Sequence, residues 1–484
     1  KIWNIEKLFP YTPVHNIGGF IQMTGNIDYN ALHKAISECF KINDSLRLRF
    51  VETDNGVRQY LHKSDDDLSL PFVDFSKYRN PEFEFEQWMQ HEFTQPFDLL
   101  KDHPFARFWL IKLDEQRGGY VIKIHHIVAD GWSIQLITDQ ISHLYEANSE
   151  EQTELDFGSY LDYIEKEKEY LQSKRYEKDK LFWSEKLGKN FAWSNDKQFG
   201  VHAGKRRSVV WDELKSERVR DFCRKHRCSI NSFFVGLLAV YWSKRTRSER
   251  ITISNPVFNR RDKKDRRATG MFTSTVFLNI SLPPGTTFSQ LINNITKETM
   301  NCFKHQRFPL DQMISELFNR NGRRGNPFEL CVNYYNTKLA TQIGDLRMEN
   351  KEWYSGYQLY SLQVVIADWL ESGALELKLD YKTCDYSDNQ IERLIAHLEN
   401  ILDYVLDDPE CAIDDIVYTT DAEKHMLDKF NNRYYDIPIT KIHRLFEKQA
   451  HHSIGEYVAA GVSGSGPARM PSNTGNSKRN TRKP

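Results

Sequence analysis

The seven residues His125-His126-Ile127-Val128-Ala129-Asp130-Gly131 constrain this chain more than any other stretch. They follow Tyr120-Val121-Ile122-Lys123-Ile124, an apolar, β-branched run that reads as a buried strand. Two imidazoles and a carboxylate are thus delivered into one short turn. Neighbouring side chains on a strand point to opposite faces, so His125 and His126 share a cavity only if the strand ends between them. One histidine is expected to be structural and the other functional.

With 484 residues, 39% of them hydrophobic, the chain can bury one large core or two moderate ones, and two lobes are expected. Lys and Arg number 66 against 67 Asp and Glu, a net charge of -1, which offers no field for gripping a nucleic-acid backbone. Cys39, Cys223, Cys228, Cys302, Cys331, Cys384 and Cys411 are scattered without a CxxC pair. That argues against a zinc site or disulfide framework and for a reducing, cytoplasmic setting. No run approaches the ~18 apolar residues of a membrane span. The start, Lys1-Ile2-Trp3-Asn4-Ile5-Glu6, lacks the plan of a signal peptide and, without Met, reads as cut from something longer.

Along the chain, Asn30 to Phe40 reads as a helix leading into an alternating strand, Leu46 to Phe50. Phe105 to Leu113 and Tyr120 to Ile127 form a hairpin around Asp114 to Gly119, and helical pattern follows Trp132. The Glu- and Lys-rich stretch from Tyr163 to Lys186 is expected to be an exposed helical connection, placing a lobe boundary near residue 170. Beyond it come a helix from Asn231 to Lys244 and strands at Ile251 to Val257 and Phe272 to Leu282. Leu375, Leu377, Leu379 and Tyr381 alternate with Glu376, Lys378 and Asp380, as in a half-buried strand. Ser387 then caps a helix, with Gln390 in the capping-box position. No short-period repeat is present, so a solenoid is excluded. From Gly461 the composition is poor in large apolar residues, which predicts a disordered or foreign end over 451–484.

Three readings of the histidine turn compete. A core histidine pair beside a turn is the bland one. A metal site would need His126, Asp130 and further ligands, and no HExxH helix supplies them. General-base chemistry needs an imidazole, a group fixing its geometry, and an N–H near developing charge. The carboxylate and glycine four and five residues after His126 favour acyl transfer.

His125, His126, Asp130 and Gly131 match HHxxxDG, and on them the chain resembles the condensation domains of nonribosomal peptide synthetases and the chloramphenicol acetyltransferase-like acyltransferases. Leu46-Arg47-Leu48-Arg49-Phe50 is similar to the end of the family's RHExLRTxF element, though Ile42-Asn43-Asp44 departs from it. Gly270 to Thr275 resembles GxFVNT, with Ser274 in place of the usual Asn and Asn279 where an Arg is common. His305-Gln306-Arg307-Phe308-Pro309-Leu310 resembles HQxxPF, Asn326-Pro327-Phe328 resembles RNPLF, and Leu379 to Thr383 with Ile391 to Leu394 resembles the closing strand and helix. These blocks span residues 1 to about 420 in order. Ile442 to Ala450 resembles the opening of an adenylation domain, which implies a multidomain synthetase, with 421–450 as linker and adenylation start.

The resemblance implies an α/β fold of the α+β sandwich kind. Two chloramphenicol acetyltransferase-like lobes, 1–170 and 171–420, would form a V-shaped pseudo-dimer crossed by a tunnel. Carrier proteins would dock at its two mouths and insert phosphopantetheine arms, with acyl-CoA as a possible donor and no cofactor or metal bound by the domain itself. By matching positions, His126 is the catalytic candidate, as base or as the group positioning the amine. Gly131 either offers its N–H to the oxyanion or permits a tight turn. His125 and Asp130 are structural, with Arg47 as the expected partner of buried Asp130. Trp132 and Ser133 are candidates for the pantetheine arm, Asn326 and Pro327 are fold determinants, and His305 is open.

The histidines argue against heterocyclization domains, which carry DxxxxD, and the adenylation-like opening argues against epimerization domains. Tyr11 to Phe20 resembles the start of starter domains that N-acylate the first amino acid, which places initiation above peptidyl elongation. A free-standing CoA-dependent acyltransferase would not need the segment from Ile442 to Ala450, and a noncatalytic recruitment domain would usually lack the histidines. Bacterial cytoplasm is the expected location.

Overall fold

The computed structural model describes residues 2–54, 56–63, 68–101, 103–147, 158–189, 191, 199–320, 326–431, 443–444, 446–447 and 449–450, without the side chains of 189 and 320. The adenylation-like opening lies partly outside these residues, and the stretch from 451 wholly so. Residues 1–420 group into one compact unit and 421–484 into another, whose helix Asp421–Asn431 has no buried residue.

Strands of the first unit, in chain order, are β1 (Asn16–Thr24), β2 (Leu48–Thr53), β3 (Gly56–Leu61), β4 (Phe72–Asp74), β5 (Ala106–Lys112), β6 (Arg117–His125), β7 (His202–Val210), β8 (Arg250–Val257), β9 (Ser274–Ser281), β10 (Leu330–Tyr335), β11 (Gln342–Ile343), β12 (Leu346–Glu352), β13 (Tyr357–Gln358), β14 (Leu362–Ala367) and β15 (Glu376–Lys382). They form a six-stranded sheet in the order β11-β12-β1-β6-β5-β4, a seven-stranded sheet β13-β7-β15-β14-β10-β8-β9, and the ribbon β2-β3. With the helices packed on them, the α/β class holds.

The first sheet draws strands from both sides of residue 170. β12 lies antiparallel against β1, from Gly19 opposite Glu352 to Thr24 opposite Arg347. On its other side β1 pairs with β6, from Asn16 opposite His125 to Thr24 opposite Arg117. Such close approach on both flanks explains Gly18-Gly19: a Cβ would stand 2.0 Å from the Ile122 carbonyl oxygen at Gly18 and 2.1 Å from that of Lys351 at Gly19.

The helices follow their apolar periodicity. We label α1 (Ile2–Leu8), α2 (Tyr29–Ile42), α3 (Pro81–Thr94) and α4 (Gly131–Glu146). Asp28 caps α2 through its side chain, and Leu32, Ala35, Ile36, Cys39 and Phe40 form its buried stripe. Ser387 and Gln390 close the expected capping box on helix Asp388–Asp407.

Elsewhere the chain departs from its pattern. Asp44–Arg47 is a 3-10 turn, so strand begins only at Leu48. The Tyr163 to Lys186 stretch divides into two helices, Tyr160–Leu171 and Lys174–Lys189, and buries Tyr163, Tyr170 and Trp183. β15 is not half-buried: Lys378 and Asp380 are covered as fully as Leu377 and Leu379. Ion pairs make that affordable, since Arg206 on β7 binds Asp380 at 2.6 Å and Glu352 on β12 binds Lys378 at 2.7 Å.

Candidate active site

The β6 strand ends at His125, so pleat alternation does not extend to His126, and burial and hydrogen-bond partners set the two rings apart instead. His125 is the last ladder residue and its side chain is 1% exposed, packed among Phe97, Phe105 and His15. His126 is half-buried. Backbone bonds fasten the turn: His126 N–H donates to the His15 carbonyl at 2.8 Å and Val128 N–H to that of His125 at 3.1 Å.

Hydrogen-bond partners set the two rings in opposite tautomers. His126 Nδ1 lies 2.7 Å from the Ala129 carbonyl oxygen, an acceptor only, so Nδ1 carries the proton and the neutral ring's lone pair falls on Nε2. In His125 the order is reversed. Its Nδ1 accepts the Ile127 N–H at 3.2 Å, which leaves Nε2–H to donate to Glu6 Oε1 at 3.3 Å.

Asp130 closes the turn as the N-cap of α4, its carboxylate accepting the Ser133 N–H at 2.9 Å. The carboxylate is fully buried against an equally buried Arg260, bound in a fork at 2.7 Å and 2.9 Å. It also accepts the N–H groups of Phe272 and Thr273 and the Thr273 hydroxyl at 3.0 Å. Burial works to raise the Asp130 pKa, but the Arg260 guanidinium and these hydrogen bonds outweigh it and hold the carboxyl below its ordinary value. The Gly270 to Thr275 block therefore meets the histidine turn in space.

The cation on Asp130 is not the one expected. Arg47 ends the 3-10 turn and bonds instead to Asp44 at 3.3 Å. Arg260 lies 130 residues from Asp130 in a segment, Phe258-Asn259-Arg260, that belongs to none of the matched blocks. Its one signal was chemical: a buried carboxylate demands a cation.

Ser133 also differs from expectation. It is fully buried, its hydroxyl lying 2.8 Å from both Asp130 and the Gly270 carbonyl and accepting the Gly270 N–H at 2.9 Å. With no exposed surface, it braces the turn and has no face for a pantetheine arm. Trp132 is half-buried, edge-on to Phe258, and donates its indole N–H to the Arg266 carbonyl.

Gly131 is the first residue of α4 and is exposed, so its N–H belongs to the set with no acceptor inside the helix, at the positive end of the dipole. A Cβ there would meet Tyr335 at 3.8 Å, ordinary contact, and Gly131 is not among the described residues with positive φ. Steric need at the backbone therefore does not account for this glycine. Of the remaining motif residues, Asn326 ties Phe328 to Ser361 and His305 bonds Asp179 at 2.7 Å, both within the fold.

Residues 1–427 match the family model of the condensation domain, and the chain belongs to that family, the amide-forming acyltransferase domains of nonribosomal peptide synthetases. It is 29% identical over 460 residues to one of the plipastatin synthase subunits of Bacillus subtilis, covering 93% of this chain and 18% of that protein. With surfactin synthase subunit 1 of the same organism the identity is 28%, covering 88% of this chain and 12% of that protein. The chain thus spans less than a fifth of the synthetases it matches. In fold it is similar to an arginine-to-alanine variant of the starter condensation domain of rhizomide synthetase in complex with C8-CoA, with a TM-score of 0.76 and 22% identity over 86% of this chain and 95% of that one. The first condensation domain of the CDA synthetase gives 0.72 and 20%, over 87% and 97%. No helix among the described residues is long and apolar enough to cross a membrane.

Proposed function

We propose that this domain forms an amide between a donor acyl thioester and the α-amine of an aminoacyl thioester on an acceptor carrier protein, at chain initiation. The tautomer of His126 carries the reading: Nδ1–H is committed to the Ala129 carbonyl, so the neutral ring presents an acceptor at Nε2. There it holds the attacking amine and takes its proton as the C–N bond forms. The carbonyl oxygen of the tetrahedral intermediate becomes anionic beside the N-terminus of α4, where Gly131 N–H and the helix dipole favour negative charge. Collapse breaks the C–S bond, and the departing thiolate takes back the proton held at His126 Nε2, which restores the neutral ring.

His126 and Gly131 are thus the reacting pair, His125, Asp130 and Arg260 hold them, and Trp132, at the mouth of the turn, contacts the pantetheine arm. Donor and acceptor carriers are the partners, phosphopantetheine or CoA carries the acyl group, and an adenylation domain follows. Two lobes, the first completed by β11 and β12 from beyond residue 340 and the pair enclosing a tunnel, would bring the two arms to His126. Initiation is supported by the likeness of Tyr11 to Phe20 to starter domains and by the fold shared with the rhizomide starter domain, whose structure holds C8-CoA. Incubation with acyl-CoA and acyl-carrier donors and an aminoacyl acceptor carrier, read by intact-protein mass spectrometry, tests it. Acyl transfer from fatty acyl donors in preference to peptidyl donors is expected; peptidyl transfer alone reverses the subtype, and no transfer from any donor removes the function.

A further inference from the structure

Glu6, His15 and His125 form a buried cluster whose ligating atoms lie within 4.8 Å of one another. Its members come from α1, the segment before β1, and the end of β6. Glu6 Oε1 accepts from His15 Nδ1 at 2.5 Å and from His125 Nε2 at 3.3 Å. Burial works to raise the Glu6 pKa, yet the hydrogen bonds from His125 and His15 bring it down to about 2, so it stays anionic. Burial lowers His15 to about 4 against the pull of Glu6, so near neutral pH His15 is a neutral N–H donor to the carboxylate.

Two histidines and a carboxylate suggest a cation, but the His125 ring opposes it. A metal on Nε2 would move the proton to Nδ1, which accepts the Ile127 N–H, and two donors would then face each other. With Glu6 in place as acceptor, the same ring satisfies both sides.

We infer that Glu6 is a positioning residue of the acyl-transfer site: it locks His125 in the Nε2–H tautomer, so that Nδ1 fixes the Ile127 amide and with it the turn that carries His126. The His15 carbonyl, holding the His126 N–H, gives the same N-terminal segment a second grip on that turn. Without the carboxylate, the Nδ1–H tautomer of His125 becomes accessible and turns a donor against Ile127. The His126 ring then leaves its productive geometry, a displacement to which proton transfer is sensitive.

This rests on the acyl-transfer reading, so the test has one readout that does not. Histidine side chains labelled with 15N report ring tautomers in the wild type, Glu6→Ala and Glu6→Gln, alongside thermal melts and steady-state transfer. Expected are an Nε2–H pattern for His125 in the wild type, a mixed pattern in Glu6→Ala, and recovery in Glu6→Gln, whose amide oxygen still accepts. In Glu6→Ala, kcat should fall between about tenfold and about a hundredfold with KM for the acceptor carrier within about twofold; Glu6→Gln should regain most of that rate. An unchanged His125 tautomer in Glu6→Ala, or a lowered melt with wild-type kcat, overturns the assignment. If the wild type transfers no acyl group, the functional reading falls while the tautomer comparison still decides the role of Glu6.

Discussion

The seven-residue turn is held at its two ends by two buried carboxylates that work differently. At the far end Asp130 meets a guanidinium that never deprotonates, together with hydroxyl and backbone donors. At the near end Glu6 meets the imidazoles of His15 and His125, and burial holds the first of them down to about 4. The far end is therefore a fixed anchor, and the near end is tied to conditions. Their spans differ too, since Asp130 joins α4 to residues 260–273, whereas Glu6 joins the first helix to the last residue of β6.

Removing the fixed anchor should have the largest effect. Asp130→Ala or Arg260→Ala leaves an uncompensated buried charge, and we expect each to lose roughly 3–5 kcal/mol in urea denaturation. Arg260→Lys keeps the charge but not the fork, so it should recover only part of that loss. Losses as small in Arg260→Ala as in an exposed-pair mutant would erase the distinction between the two ends.

His126→Ala comes next and separates holding from reacting. Transfer should drop by about 10²–10⁴-fold while the denaturation midpoint stays near wild type. A large loss of stability would place His126 with its neighbour as part of the frame.

Acid should loosen the near end first. His15 titrates near 6.5 when unfolded and about 4 when folded, so the unfolded chain takes its proton first, and stability present above 6.5 is lost as pH falls toward 4. Glu6, ordinarily 4.5 and held at about 2, adds a second decline from 4.5 downward. Denaturation midpoints measured in half-unit pH steps should show both, and His15→Gln should flatten the upper one.

Smallest of all is Arg47→Ala. Its partner Asp44 is a partly exposed neighbour three residues away, so we expect a change within about 1 kcal/mol in the same assay. A loss rivalling that of Arg260→Ala would return Arg47 to the anchor.

The contrast also marks what the sequence made legible. The buried strand and the cap at Ser387 rest on local periodicity and spacing, whereas the strand stops at His125, short of the Ile127 that its β-rich composition suggests. Contacts across long separations were hidden: Arg260 with Asp130, Glu6 with His125, and β12 beside β1. The block around Arg47 resembles the family and so points to Arg47 for Asp130, but local 3-10 geometry gives it to Asp44 instead. Likewise the polar residues of β15 looked solvent-facing because nothing in their own segment announces Arg206 or Glu352.

Strand β12 has a consequence for how the molecule is made. Until the ribosome has released Leu346 to Glu352, β1 has one bare flank, with unpaired amides and carbonyls along Gly19 to Thr24. The first sheet must wait for more than two hundred intervening residues before its centre is closed, which is a long-range, slow pairing. A nascent fragment ending at residue 340 should therefore bind holdase chaperones or self-associate through that flank, and extension past 352 should abolish both.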